Sequence, residues 1–464
     1  MNLNGQAPRT GQRIENIIVC VAALACALAL TYEFSPGFMS PDSLYQYRQA
    51  MGLAPLNDAH PVIMAMLWRA LAHMSSNTGM MLLFHQLFYW GAILLLTILL
   101  TQRLVYRLVL LLAIGFCPPL VITSLHIWKD VGMMCALALS CAALLGFIRY
   151  GHWTWLLVTA LALFYAIAVR INGFIPALFL LFCLGYLAAR HLKLSTMRKA
   201  ALIPLTMIVL SMAYFYGLAA INAKAEKSYG LGTLLVWDLA EISLAKGEDV
   251  IPPYILRVST GPVLEDLARV RLREANFPFW AVVWPFPPKE YEARLLPDWL
   301  SVVAANPGPY LRHRAHVFLV MLGVVVEKIY YPYHAKVDGN EFGFKFNHIT
   351  QERADSYTRG FERLASTVFY KPWLYLLLCI VALAMACRRL RHKSGDRDEQ
   401  VLAAMVASSG IANAGSLFFL ATAADYRYMI WTVFAGVIST ALVGARLLRT
   451  HSAVSPIARR IPSV

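Results

Sequence analysis

Residues 131–199 read VGMMCALALSCAALLGF (131–147), IRYGH (148–152), WTWLLVTALALFYAIAV (153–169), a lone Arg170, INGFIPALFLLFCLGYLAA (171–189) and RHLKLSTMRK (190–199). Three apolar runs approach the roughly 20 residues a helix needs to cross a hydrocarbon core. A backbone in lipid must satisfy its own hydrogen bonds, so such runs are helices. The breaks between them are all basic but unequal in charge. Arg149 precedes the second run, one Arg separates the second from the third, and Arg190, Lys193, Arg198 and Lys199 follow the third. A chain that weaves through a membrane keeps its more basic loops on one side, and the four-cation break marks that side.

Working outward, comparable runs occur at Ile14–Tyr32, Gly79–Leu100, Leu108–Leu125, Ala200–Ile221, Phe369–Cys387, Val401–Ala421 and Tyr428–Leu448, so ten transmembrane helices are predicted. The fold class is mainly α, in a chain that is 59% hydrophobic and only 14% charged. Val317–Val326 is too short to span and is flanked by Arg312, Arg314, Glu327 and Lys328, so it reads as buried or interfacial. One side of the spans collects Arg9, Arg13, Arg103, Arg107, Arg149, the Arg190–Lys199 set, Arg388–Arg397 and the C-terminal arginines. The positive-inside rule makes that side cytoplasmic, with both termini there. The net charge of +15 then reflects orientation and anionic lipid and gives no evidence for nucleic acid. All eight cysteines fall in apolar spans, which argues against a disulfide framework. The first run has no small-residue cleavage site and reads as a retained helix.

Three regions are expected: a transmembrane core over residues 1–221 containing an external loop at 33–78, an external domain at 222–368, and C-terminal helices at 369–464. In the external stretch a proline opens amphipathic runs at Pro262–Ala275, Pro288–Ala304 and Pro309–Tyr330, which predicts helices there. Asp396-Arg397-Asp398 imitates a metal motif but lies on the cytoplasmic side, where it reads as a solvated charged loop.

The loop 33–78 holds the densest chemistry. Ser40-Pro41-Asp42-Ser43-Leu44-Tyr45 places Asp42 at the start of a helix along the membrane surface, with Tyr45 one turn on and on the same face. Asn57-Asp58-Ala59-His60-Pro61 ends a polar stretch and enters a second short helix. Carboxylates at a bilayer surface are costly unless used; simple helix capping is the alternative for Asp42 and Asp58. Three further polar sites fall on the same side. His126-Ile127-Trp128-Lys129-Asp130 is either a substrate-facing turn or an interfacial ion pair with a Trp anchor. Arg170 can hold a lipid phosphate bidentately or snorkel without a partner. In Asp425-Tyr426-Arg427-Tyr428, Arg427 is a second phosphate candidate and Asp425 a partner for it. Lys129, Arg170 and Arg427 thus offer three cations on one face. His85 and Gln86 lie within a span and read as interhelical hydrogen-bonding groups. No metal-ligand spacing, P-loop, dinucleotide fingerprint or nucleophile elbow is present. No Asp-x-Asp stands on the external side, which leans against an obligatory divalent metal.

The run Pro41-Asp42-Ser43-Leu44-Tyr45, followed by Asp58-Ala59-His60-Pro61, resembles the first external loop of GT-C membrane glycosyltransferases. The likeness is to the bacterial relatives of protein O-mannosyltransferases and of the lipid A aminoarabinose transferase, and it covers the chain to about residue 200. It implies a GT-C-like fold and an active site facing the periplasm from a bacterial inner membrane. It implies a polyprenyl-phosphate-linked sugar as donor, a glycan, lipid or protein hydroxyl as acceptor, and inversion at the anomeric centre. By the same resemblance Asp42 is the catalytic base, and Asp130, His60, Asp58 and Tyr45 bind or orient substrate. Arg170, Arg427 and Lys129 would bind the donor phosphate. The family's acidic pair is here Asp42-Ser43, the second Pro of its His-Pro-Pro is Val62, and the Trp-Trp-Asp signature of oligosaccharyltransferases is missing. A lipid-linked oligosaccharide polymerase or ligase, a secondary transporter and a non-enzymatic scaffold remain as alternatives. Against them stand a charge-balanced late loop and the lack of repeated halves.

Overall fold

The structure is a computed structural model that describes residues 10–75, 78–227, 230–257, 262–271, 279, 282–284, 289–325, 336–392 and 396–453. Its helices in chain order are α1 (Thr10–Phe34), α2 (Pro41–Met51), α3 (Val62–Met74), α4 (Met80–Leu100), α5 (Leu104–Gly115), α6 (Pro118–Ser124), α7 (Lys129–Tyr150), α8 (Trp153–Val169) and α9 (Phe174–His191). They continue with α10 (Thr196–Ile221), α11 (Gly230–Lys246), α12 (Val263–Arg271), α13 (Glu292–Ala305), α14 (Pro307–Met321), α15 (Gln351–Ser366), α16 (Pro372–Arg391), α17 (Arg397–Leu420) and α18 (Ile430–Ala453). Only isolated β-bridges occur among the described residues.

Among the described residues, eight helical stretches are long and apolar enough to cross a membrane, which makes this a multi-pass membrane protein by length and composition. The expected ten continuous spans are therefore corrected in two places. The third is broken: α5 and α6 meet at a 68° bend. Pro118 and Pro119 supply no amide hydrogens there and cannot continue α5. The fifth, α8, has 17 residues, or about 25 Å of helix against a core of roughly 30 Å. Both nevertheless run from one end of the bundle to the other. Trp153, at the start of α8, packs on His191, and Arg170 at its end bonds Asp130. Arg107 near the start of α5 donates to Asn16, while the carbonyl of Leu125 beyond α6 accepts from Phe38.

α7 is buried along nearly its whole length and packs against α4, α8 and α18; α16, α17 and α18 form a second tight group. One end of the bundle carries Arg149–Glu399 and Arg190–Asp398 ion pairs. Asp398, in the imitation metal motif, is thus paired with an arginine. The other end gathers α2, α3 and the stretch between α10 and α16. There α11–α14 surround a core of Leu235, Trp237, Ile255, Leu267, Leu295 and Met321, which continues onto Leu417 and Met429 of the bundle. Of the three predicted helices in this stretch, the first ends at Arg271 as described, and 272–275 lie outside the described residues. The second begins at Glu292, after a 3-10 turn at Lys289–Tyr291; the third begins at Pro307 and ends at Met321. Residues 326–330 are also outside the described residues. Val317, Val320 and Met321 are buried, and their helix is not among the candidate spans. α11 and α15 were not anticipated by the sequence.

A strap over 336–357 fixes the link between α1 and α2. Met39 donates to the Lys336 carbonyl, Asp338 returns a bond to Met39, and Asn347 donates to the hydroxyl of Ser35 at 2.9 Å. Tyr47 packs edge-on against Phe342 and Phe344, and Arg48 pairs with Glu341. Within the link, Gly37 holds φ at +105°, and a Cβ there would meet Ile127 at 2.7 Å. Only glycine fits, and it lets Phe38 bridge to His126.

Candidate functional site

The helix α2 opens with Ser40 as N-cap and Pro41 at its first position, so Asp42 sits in the first turn where the helix dipole favours a carboxylate. The Ser43 hydroxyl accepts the Ser40 amide at 3.2 Å, so Ser43 and not Asp42 performs the capping. Asp42 instead pairs with Arg427 Nη1 at 2.8 Å. Arg427 is shared. Its Nε lies 2.8 Å from Asp425 and 3.9 Å from Asp130, and its guanidinium stacks 5.0 Å from the centre of the Trp128 ring. The Trp128 indole donates to Ser40 Oγ at 2.9 Å, which ties this platform to the start of α2.

Asp130 is fully buried at the start of α7 and is held by Arg170 at 3.0 Å. Arg170 ends α8, and its guanidinium lies 4.6 Å from the Tyr428 ring. Capping therefore does not describe Asp42, and partnerless snorkelling does not describe Arg170. Lys129 donates to the Ala59 carbonyl at 3.1 Å, so the cation reaches the His60 loop. His60 packs at 5.0 Å on Tyr45, whose hydroxyl accepts from Asn57. The structure therefore brings together Asp42, Asp130, Lys129, Arg170, Arg427, His60 and Tyr45. Asp58 is exposed, and its backbone amide donates to the Glu226 carbonyl at 3.1 Å.

The electrostatics follow from these neighbours. Burial alone would raise the Asp42 carboxyl, but Arg427, Lys129 and His60 outweigh it and hold Asp42 at about 2. Burial and then Lys129 push His60 down to about 4, so its imidazole is neutral at pH 7. Burial raises Asp425 against the pull of Arg427. The site thus holds three carboxylates and three cations, with Asp42 still 42% exposed while Asp130 is sealed. A net-neutral cluster with one open carboxylate can exchange an internal ion pair for an incoming anion.

His85 approaches the His126 carbonyl at 3.3 Å and Gln86 donates to Ser124, the interhelical bonds expected of them. Among the described residues no group of three or more His, Cys, Asp or Glu is placed to hold a metal ion. The sequence reading missed a second ionic cluster, Asp238 with Arg314 and His313, in the α11–α14 layer. A lone Asp inside the apolar run Leu234–Ala240 was the available signal. Comparison with protein-family models and with curated proteins gives no match.

Proposed function

We propose that this protein is a membrane glycosyltransferase of GT-C type, moving a sugar from a polyprenyl-phosphate donor to a hydroxyl acceptor at the site end of the bundle. The observation that carries the reading is Arg427 shared between Asp42, Asp425 and Asp130 beside Arg170 and Lys129. The acceptor oxygen attacks the anomeric carbon, the bond from that carbon to the phosphate oxygen breaks, and the hydroxyl proton passes to Asp42. The leaving phosphate gains one negative charge in that step, and Arg427, Arg170 and Lys129 are the groups to stabilise it.

Asp42 paired with Arg427 is too weak a base for this work. A donor phosphate that draws Arg427 away raises the Asp42 carboxyl toward its ordinary value, so donor binding itself switches the base on. Asp130 acts by holding the two guanidinia, and neutral His60 with Tyr45 lines the approach to Asp42. An apolar groove lined by Leu178, Met207, Ile208, Met212 and Phe215 offers a path for the isoprenoid tail. Phe215 packs on Phe174, four residues beyond Arg170, so the groove leads toward the phosphate cations. The positive-inside pattern favours a cytoplasmic basic end, and the GT-C reading makes the opposite, site-bearing face the periplasmic face of a bacterial inner membrane.

The test is to incubate the purified protein with labelled polyprenyl-phosphate sugars and a membrane extract. Loss of donor with appearance of an inverted glycoside supports the reading; a donor untouched across the sugar series refutes it.

A further inference from the structure

The second ionic cluster lies outside the proposed chemistry, yet it touches the segment that carries Arg427. Asp238 on α11 and Arg314 on α14 are both fully buried and pair at 2.7 Å. Asp238 also accepts from the Trp299 indole at 3.0 Å, and His313 stands 3.5 Å from its other oxygen. A buried ion pair is a poor source of net stability compared with apolar packing. The second bond of Arg314 gives this one a purpose: Nη1 donates to the carbonyl of Ala421 at 2.8 Å.

Ala421 caps the C-terminus of α17, where helical carbonyls lack partners along the chain. Four residues later Asp425 accepts from the Arg427 amide at 3.1 Å and pairs with its side chain. Between them the Thr422 hydroxyl meets that of Tyr428 at 3.2 Å, and Asn413 of α17 donates to the Tyr428 carbonyl. The segment 421–428 is thus closed on itself and pinned to α17, and Arg314 reaches it from a different layer.

We infer that Arg314, held by Asp238, is a positioning residue that fixes the end of α17 and so sets where Asp425 and Arg427 stand. The packing layer α11–α14 is in this way coupled to the anion-binding end of the bundle. The effect on phosphate binding rests on the function proposed above; the mechanical link does not.

The test uses the full-length protein in lipid nanodiscs, with Arg314→Lys and Asp238→Asn. Hydrogen exchange over 421–428 is expected to accelerate about ten-fold while α7 and α16 keep their protection. Geranylgeranyl phosphate, used as the probe, is expected to bind about ten-fold more weakly, and Arg314→Lys with Asp425→Asn to act less than multiplicatively. Should Arg314→Lys fail to fold, Asp238→Asn keeps the side-chain volume and carries the test. Unchanged exchange over 421–428 in a folded variant overturns the inference, as does acceleration spread evenly over the bundle. If wild type fails to bind the probe, the phosphate reading falls, and the exchange result still decides the role of Arg314.

Discussion

The two ends of the bundle use the same kinds of side chain in different ways. At the basic end, Arg149 and Glu399 join α7 to α17 at 2.6 Å, and Arg190 and Asp398 join α9 to α17, each bridge pairing one arginine with one carboxylate. At the site end, Arg427 is divided among Asp42, Asp425 and Asp130, with Trp128 beneath it. These bridges lock packed helices together, with Arg149 Nε also on the Leu99 carbonyl and Asp398 also accepting from the Tyr186 hydroxyl. A shared guanidinium with a half-open carboxylate can release one partner when an anion arrives. On the function proposed here, the difference separates charges that hold helices from charges that meet the donor phosphate.

Neutralising the arginine at each end puts this contrast at greatest risk. Arg427→Gln is expected to lower transfer on the order of 10³-fold, measured as initial rate on a labelled donor. Arg149→Gln is expected to leave the rate of the folded protein within about three-fold, because nothing of the site rests on it. Its effect is on stability: removing the arginine that pairs with the buried Glu399 costs about 3 kcal/mol, read from thermal unfolding in detergent. Equal rate losses at both ends would erase the distinction.

A pH series adds a finer measure. Lys129 helps hold Asp42 down, so Lys129→Met raises the Asp42 carboxyl. The acid limb of the rate profile is then expected to move to higher pH by about one unit. The sign follows because removing a cation favours the protonated acid. A limb that stays still, or moves to lower pH, would take Asp42 out of the proton transfer. The smallest effect belongs to Tyr45→Phe. It removes the hydroxyl that Asn57 bonds and keeps the ring on His60. A rate loss of about three- to ten-fold is expected, for one neutral hydrogen bond.

Much of this was legible in the sequence, and for a physical reason. Lipid demands apolar runs of fixed length, so α1, α4, α7, α9, α10, α16, α17 and α18 could be located without a structure. Pro118-Pro119 stands inside the third run, but the run's apolar length led to a continuous span, and the bend emerges only in the structure. α11 was not legible. Its run Leu234–Ala240 is buried on all faces by protein rather than lipid, which leaves no periodicity to read. α15 does carry a local pattern, a Thr350 N-cap with Ala354, Phe361 and Ala365 at helical spacing, which the sequence reading passed over in a mostly polar stretch. At the site, residue types and sides were readable; partnerships were not. Asp42 and Arg427 lie at opposite ends of the chain, and only the packing of α2 against the turn that opens α18 shows that one arginine serves three acids. Arg314 and Asp238 were hidden for the same reason.

Single-turnover transfer from donor already bound, comparing wild type with Asp42→Asn, bears most directly on the exchange of ion pairs at Arg427. Asp42→Asn is expected to bind donor as tightly as wild type or more so, since the asparagine no longer competes for Arg427. The bound sugar is expected to be transferred on the order of 10³-fold more slowly. Transfer by Asp42→Asn at the wild-type rate would contradict both the assignment of the base and the exchange of ion pairs that is proposed to activate it.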